Sequence, residues 1–200
     1  GNTREWRGKQ EEIARTFFDF RCDAITPANI GDLFNTAAVN AASPDWDHQV
    51  LERSCVVKVL LTNDFDDPLQ GFDTNRYVPC LRTDDLVFHL AVPKTVERLK
   101  HATNTDVHDT NSLVAAVGGL FEHFTKHGAK ACAISLPPDF EPLPVDRVDV
   151  EPILHAMLAG RVISAEDNRA IQRFVFWTLA SFCAQFRLPF DLMIGVNRRV

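Results

Sequence analysis

The stretch VVKVLLTNDFDDPLQGFDTNRYVPCLRTDD, Val56 to Asp85, decides the fold. It holds two apolar runs, Val56 to Leu61 and Val78 to Leu81, and each opens into polar residues. Thr62, Asn63, Asp64, Asp66 and Asp67 follow the first; Arg82, Thr83, Asp84 and Asp85 follow the second. Strands buried on both faces of a parallel sheet read as continuous apolar runs, and α/β enzymes place their chemistry beyond the strands' carboxyl ends. The pattern therefore predicts two parallel strands with candidate functional groups at their exits. Between them, Asn63 to Tyr77 is a functional loop or a very short crossover.

Outward from this stretch, two further apolar runs read as strands, Lys130 to Leu136 and Phe190 to Val196. Helices fill the intervals. Asp109 starts one with Leu113, Val117, Leu120, Phe121 and Phe124 on a single face, and Gly128 closes it. Pro93 opens another through His101, and Val150 to Leu158 makes a short one that Gly160 ends, while Leu86 to Ala91 is ambiguous. Ser164 with Asp167 three residues on resembles a capping box. The helix it opens runs to about Phe186, with Ile171, Phe174, Val175, Thr178, Leu179 and Phe182 towards the core. Prolines at 137, 138, 142 and 144 make the segment before Val150 a rigid extended loop.

Upstream, Trp6, Ile13, Phe17 and Phe20 fall at helical spacing between Glu5 and Phe20. Thr26 is expected to cap a second helix, with Pro27 at its first position and Ile30, Leu33, Phe34 and Ala37 as its buried face. Trp46 to Arg53 is a third. Residues 1–54 thus form a helical part and 55–200 a series of β/α units, in a single α/β domain or a fragment of a larger barrel. Alternation of strand, loop and helix argues for a parallel sheet, either half of a (β/α)8 barrel or a doubly wound sheet.

Two hundred residues with 46% hydrophobic content suffice for a real core. A net charge of −6 with scattered basic residues shows no electrostatic footprint for nucleic acid or an anionic membrane. Five isolated cysteines without a CxxC pair read as buried thiols in a reducing cytoplasm. No apolar run approaches the roughly 20 residues of a membrane span, so the expected compartment is the cytoplasm. The chain opens Gly-Asn-Thr and stops directly after a strand, as a piece excised from a longer protein would.

Asp64, Asp66 and Asp67 could orient a sugar hydroxyl, hold a metal or act as a base, or they could cap backbone amides in a turn. Arg82 could clamp a carboxylate with its planar fork, or pair with Asp84 or Asp85. Of the seven histidines only His123 and His127 share a helical face, where a surface role is expected. There is no GxGxxG, Walker-type loop or GxSxG elbow, and Gly118-Gly119 lies inside a helix.

These residues resemble a known family. TNDFDDPL at 62 to 69 is similar to the TTDDP segment of uronate isomerases, a branch of the amidohydrolase superfamily, and VPCLRTDDLV at 78 to 87 to their strand bearing S-W-R-P-D. LFEHFTKHGAKACAISL at 120 to 136 resembles the helix and strand ending in C-R-A-S-D-H-G. The stretch from Met157 to Arg199 follows the L-A-G and long helix that lead to Q-L-H-I-G-A-I-R-N. The matches are collinear.

The resemblance implies part of a (β/α)8 barrel, with aldose-ketose interconversion of a hexuronate such as D-glucuronate at the strands' carboxyl ends. A divalent metal, zinc for example, would serve the full-length protein, and this segment supplies no metal ligand. It matches Asp66 and Asp67 to the family's acidic pair, a catalytic or positioning role, and Arg82 and Arg198 to substrate-contacting arginines. The implied partner is a small sugar acid, with homo-oligomerisation open. The chain departs from the pattern at Ala133 and Ile134, where the family has Asp-His, and at Met193, where it has His. Those losses leave room for another sugar-acid activity on the same barrel, or for a non-catalytic relative.

Overall fold

The structure, a computed structural model, describes residues 3–194, with side chains from residue 8 onwards. The chain forms two compact units, Gly1–Lys58 and Val59–Val200. Among the described residues no helix is long and apolar enough to cross a membrane.

The first unit contains α1 (Thr3–Phe18), α2 (Ile30–Ala41) and α3 (Trp46–Arg53). The rings of Phe18 and Trp46 stack at 5.5 Å. The second helix begins later than the spacing predicts, and Thr26 does not cap it. Asn29 explains the delay: its side chain accepts the Thr26 N–H at 2.8 Å and donates to the Ala24 carbonyl at 3.0 Å, which closes a turn around Pro27. The expected apolar face exists but is only partly covered: Leu33 and Ala37 are half-buried, while Ile30 is 53% and Phe34 74% exposed. Periodicity tells which residues share a face; it does not tell what lies against that face.

The second unit comprises β1 (Val59–Asp64), β2 (Tyr77–Arg82), α4 (Asp84–Phe88), α5 (Pro93–Thr103), α6 (Thr110–Lys126), β3 (Ala131–Leu136), α7 (Arg147–Leu158), α8 (Ala165–Phe186) and β4 (Phe190–Ile194). The strands form one sheet in the order β1-β2-β3-β4, and every neighbouring pair is parallel. The first strand starts three residues later than the apolar run that announces it and ends three residues later. Val57 is 82% exposed, and pairing starts only at Val59, opposite Tyr77. Thr62, Asn63 and Asp64 are therefore strand residues, and the connection to β2 covers residues 65–76 without a helix.

Each of Leu113, Val117, Leu120, Phe121 and Phe124 on α6 is at most 1% exposed. Burial of side chains this size stabilises by about 1.5–3 kcal/mol each. A capping box of Asp109 and Ser112 starts that helix, and Gly128, at φ +86°, follows its end. Ser164 and Asp167 form the second capping box as expected. On α8, Ile171, Val175 and Leu179 are buried, and Phe176 and Cys183 join them, while Phe174 and Phe182 are only half-buried.

The proline-rich segment after β3 is pinned to α8 at three points. The Phe140 ring meets Phe176 at 5.5 Å, Arg173 Nε donates to the Glu141 carbonyl at 3.0 Å, and Trp177 Nε1 donates to the Pro142 carbonyl at 3.1 Å. A perpendicular contact with Phe88 at 5.4 Å ties the same ring to α4.

Candidate functional site

Register assigns every strand residue to a face. Successive side chains of a strand alternate, and paired residues of neighbouring strands point the same way. Leu81, Cys132 and Ile134 pack into the main core with the helices, whereas Cys80, Ala131 and Ala133 form a separate small cluster with Met193. The second face is the one turned away from the helices. Its upper row runs Asp64, Arg82, Ala133, Asp191 across all four strands.

Arg82 is thus the last residue of β2 and projects on the helix-free face. Its Nε donates to Asp84 Oδ2 at 3.3 Å and its Nη1 lies 3.8 Å from Asp64 Oδ1. The side chain remains 38% exposed, so the guanidinium is still reachable. Asp84 also accepts the Ser135 N–H of β3 at 3.3 Å through its other oxygen. Below it, Thr83 is fully buried and donates its N–H and hydroxyl to the Ala133 carbonyl at 3.0 and 3.1 Å.

The two acids matched to the family pair are both engaged. Asp66 receives Arg98 Nε at 2.7 Å and Nη2 at 2.6 Å, and the third edge of that guanidinium donates to Asp85 Oδ2 at 2.7 Å. The same cation sits 4.5 Å from the centroid of the Phe65 ring. Hydrogen bonds from Arg98 hold the Asp66 carboxyl below the usual carboxylate range, against the opposing effect of burial. Asp85 is lowered by the same cation and, less strongly, by His89. Arg98 in turn is held firmly in its charged form, chiefly by Asp66.

Asp67 accepts Asn63 Nδ2 at 2.9 Å and the Leu69 N–H at 2.7 Å, so it shapes the turn in which Leu69 adopts φ +54°. His123 is not a free surface group. Its Nε2 lies 3.2 Å from the Asp67 carbonyl, and a carbonyl can only accept, so that nitrogen carries the proton. The exit loop of β1 is thereby tied to α6.

Arg98 and Asp191 were not legible as site residues. Arg98 sits among Glu97 and Lys100 on an amphipathic helix and looks like solvated charge. The available signal was indirect: four acids at 66, 67, 84 and 85 gathered on one rim call for a cation. Asp191 could have been found from the two-residue period of β4, which puts it on the face of Met193. Arg198 lies outside the described residues.

The departures separate by face. Ala133 and Met193 belong to the helix-free cluster, while Ile134 is fully buried on the helix side. Only the first two stand where a polar group could reach a ligand in the barrel's interior. Among the described residues no group of three or more His, Cys, Asp or Glu side chains is placed to hold a metal ion. The rim's donors do not suit one either. Asp66, Asp84 and Asp85 are committed to guanidinium or backbone donors, which among the described residues of that row leaves Asp64 and Asp191, on the first and last strands of the sheet, and a divalent ion needs several ligands together.

A family model described as glucuronate isomerase matches residues 12–200. The chain belongs to the glucuronate isomerase family. Solved structures agree on the fold of this family member. Glucuronate isomerase from Caulobacter crescentus superposes with a TM-score of 0.78 at 15% identity, covering 94% of this chain and 41% of that one. Uronate isomerase from Thermotoga maritima gives 0.79 at 14% identity, covering 92% and 42%. An uronate isomerase from Bacillus halodurans gives 0.55 at 21% identity, covering 88% and 38%. No curated protein matches the chain. The chain spans about two-fifths of the length of these solved relatives, and its four parallel strands with their helices are part of a (β/α)8 barrel.

Proposed function

We propose that the protein interconverts an aldose hexuronate, such as D-glucuronate, and its ketose form by proton transfer between two carbons, in the setting of the complete barrel. The observation that carries this reading is the glucuronate isomerase match across residues 12–200. The fork of Arg82, reachable at the carboxyl-terminal rim, suits a substrate carboxylate or hydroxyl. Arg198 is a second substrate contact in this reading. Asp66 and Asp67 shape the exit loop through Arg98, Asn63 and the Leu69 amide, as positioning acids. Membership of the amidohydrolase superfamily, a place in sugar-acid metabolism and a cytoplasmic location belong to the same proposal. A divalent metal such as zinc would take its ligands from outside the described residues, since the rim does not offer a set.

A second reading has a specific observation behind it. Ala133 and Met193 put a methyl and a thioether where the resembled family carries polar groups, which favours a different reaction of a sugar acid on the same barrel, or no reaction. The test is to incubate full-length protein with glucuronate and galacturonate, with zinc or manganese supplied, and to follow ketose formation. Turnover of either upholds the isomerase. No turnover of either, with binding or conversion in a panel of lactones and phosphorylated sugars, transfers support to the second reading.

A further inference from the structure

We propose that Asp84 is a positioning residue for Arg82: it holds the Nε edge of the guanidinium so that the two terminal nitrogens face an incoming carboxylate. The substrate part of this inference rests on the hexuronate reading above.

Asp84 is the most enclosed of the four rim carboxylates paired with Arg82 or Arg98. Its side chain is 16% exposed, against 61% for Asp64, 30% for Asp66 and 38% for Asp85. Its two oxygens have separate tasks, Oδ2 taking Arg82 Nε and Oδ1 taking the Ser135 amide of the neighbouring strand. The second bond fixes the carboxylate to β3, so the guanidinium is oriented against a backbone anchor and not against another mobile side chain. Asp85, the next residue, is bound to Arg98, which holds the start of α4 in place.

A guanidinium offers a carboxylate two bidentate edges, one through Nε and one through the terminal nitrogens. Asp84 occupies the first. Among the described residues the second meets only Asp64, at 3.8 Å, which a substrate carboxylate can displace. Without Asp84 the Arg82 side chain loses its restraint and pairs more closely with exposed Asp64, which neutralises the fork.

The variants are Asp84→Asn and Asp84→Ala in the full-length protein. An Asn amide has one acceptor oxygen, so either Arg82 Nε or the Ser135 N–H would face an N–H in place of an acceptor. KM for glucuronate should rise about tenfold or more while kcat changes less than about threefold, the signature of lost ground-state and transition-state binding alike. The second readout needs no variant and no substrate: in the wild type, the Nε proton of Arg82 should exchange with water more slowly than that of exposed Arg161. Unchanged KM with a lowered melting temperature would reduce Asp84 to a staple between β2 and β3 and overturn the proposal. An Nε proton that exchanges as fast as that of Arg161 would overturn it even if neither variant folds. If the wild type turns over no hexuronate, the isomerase reading falls, and the exchange measurement still decides the link between Asp84 and Arg82.

Discussion

Arg98 grips Asp66 with two parallel bonds of 2.7 and 2.6 Å, joining the exit of β1 to a helix that starts beyond β2. The third bond, to Asp85, brings in α4. One cation thus holds three segments that the sequence separates. Of the two acids that look catalytic in the primary structure, this cation uses Asp66, while Asp67 is held by Asn63 and the Leu69 amide.

Arg98→Ala would leave Asp66 without its cation and Asp85 with His89 alone, at a site where the Arg98 side chain is 24% and that of Asp66 30% exposed. Loss of charge-assisted hydrogen bonds costs about 1.5–3 kcal/mol in such settings, discounted here because Asp85 is 38% exposed. The expected loss is about 2 kcal/mol in chemical denaturation. A change under about 0.5 kcal/mol would show the triad to be a solvated surface pair.

Acid should release the same clamp. Asp66 and Asp85 both have native pKa values below their ordinary value of 3.8, so the unfolded chain binds protons first as pH falls. Their contribution is therefore complete above pH 3.8 and is lost below it, as pH drops through the depressed native values. Unfolding free energy measured between pH 5 and pH 2 should fall more steeply in the wild type than in Arg98→Ala. Parallel curves would contradict the assignment.

Arg82→Lys replaces a fork by a point charge. Its ion pairs, at 3.3 Å to Asp84 and 3.8 Å to Asp64, are partly exposed, and such pairs contribute about 0–1 kcal/mol. The melting temperature should hardly move, while KM for the hexuronate in the full-length protein rises about tenfold or more. Equal damage to stability and to binding would assign Arg82 to structure.

The four strands, their parallel run, the start of α6 at Asp109 and the capping box of Ser164 with Asp167 were legible because each rests on local chemistry, continuous apolar runs and polar caps; the pairing of Asp109 with Ser112 was not singled out. The site was legible only in part. Arg82 was marked by its place at the end of an apolar run. Arg98 was not, since its partners lie 32 and 13 positions away and no local pattern encodes such pairs. The start of β1 was misplaced for a related reason: Val56 and Val57 have strand propensity, but the partner strand begins opposite Val59.

The cysteines should divide sharply by reactivity. Cys22 and Cys55 are exposed, whereas Cys80, Cys132 and Cys183 are buried. Burial, assisted by the Asp191 carboxylate, pushes the Cys80 thiol up to about 11. A hydrogen bond with Cys183, together with burial, likewise raises the Cys132 thiol well above its ordinary value. Thiolate is the reacting species. Titration with a disulfide reagent at pH 8 should consume two thiols promptly and the other three only in denaturant; a fast third would show the sheet to be open.

Arg187 ends α8 in the left-handed region, at φ +54°, and it is exposed. A residue with a Cβ is strained there and glycine is not. Arg187→Gly should raise stability by about 0.5–1 kcal/mol, read from the denaturation midpoint, with unchanged helix content by circular dichroism. Destabilisation would mean that the arginine side chain has a partner that outweighs the strain.

The segment carrying Pro137, Pro138, Pro142 and Pro144 has a consequence for how the protein ages. A protease cuts where a stretch of chain can peel away from the surface into an extended form that fills its cleft. Here Phe140 is wedged between Phe88 and Phe176, and the carbonyls of Glu141 and Pro142 are held by Arg173 and Trp177. Peeling would have to break all of these at once. This outlying strap should therefore survive digestion as if it were interior, and the first nicks should fall in the helix-free connection between β1 and β2.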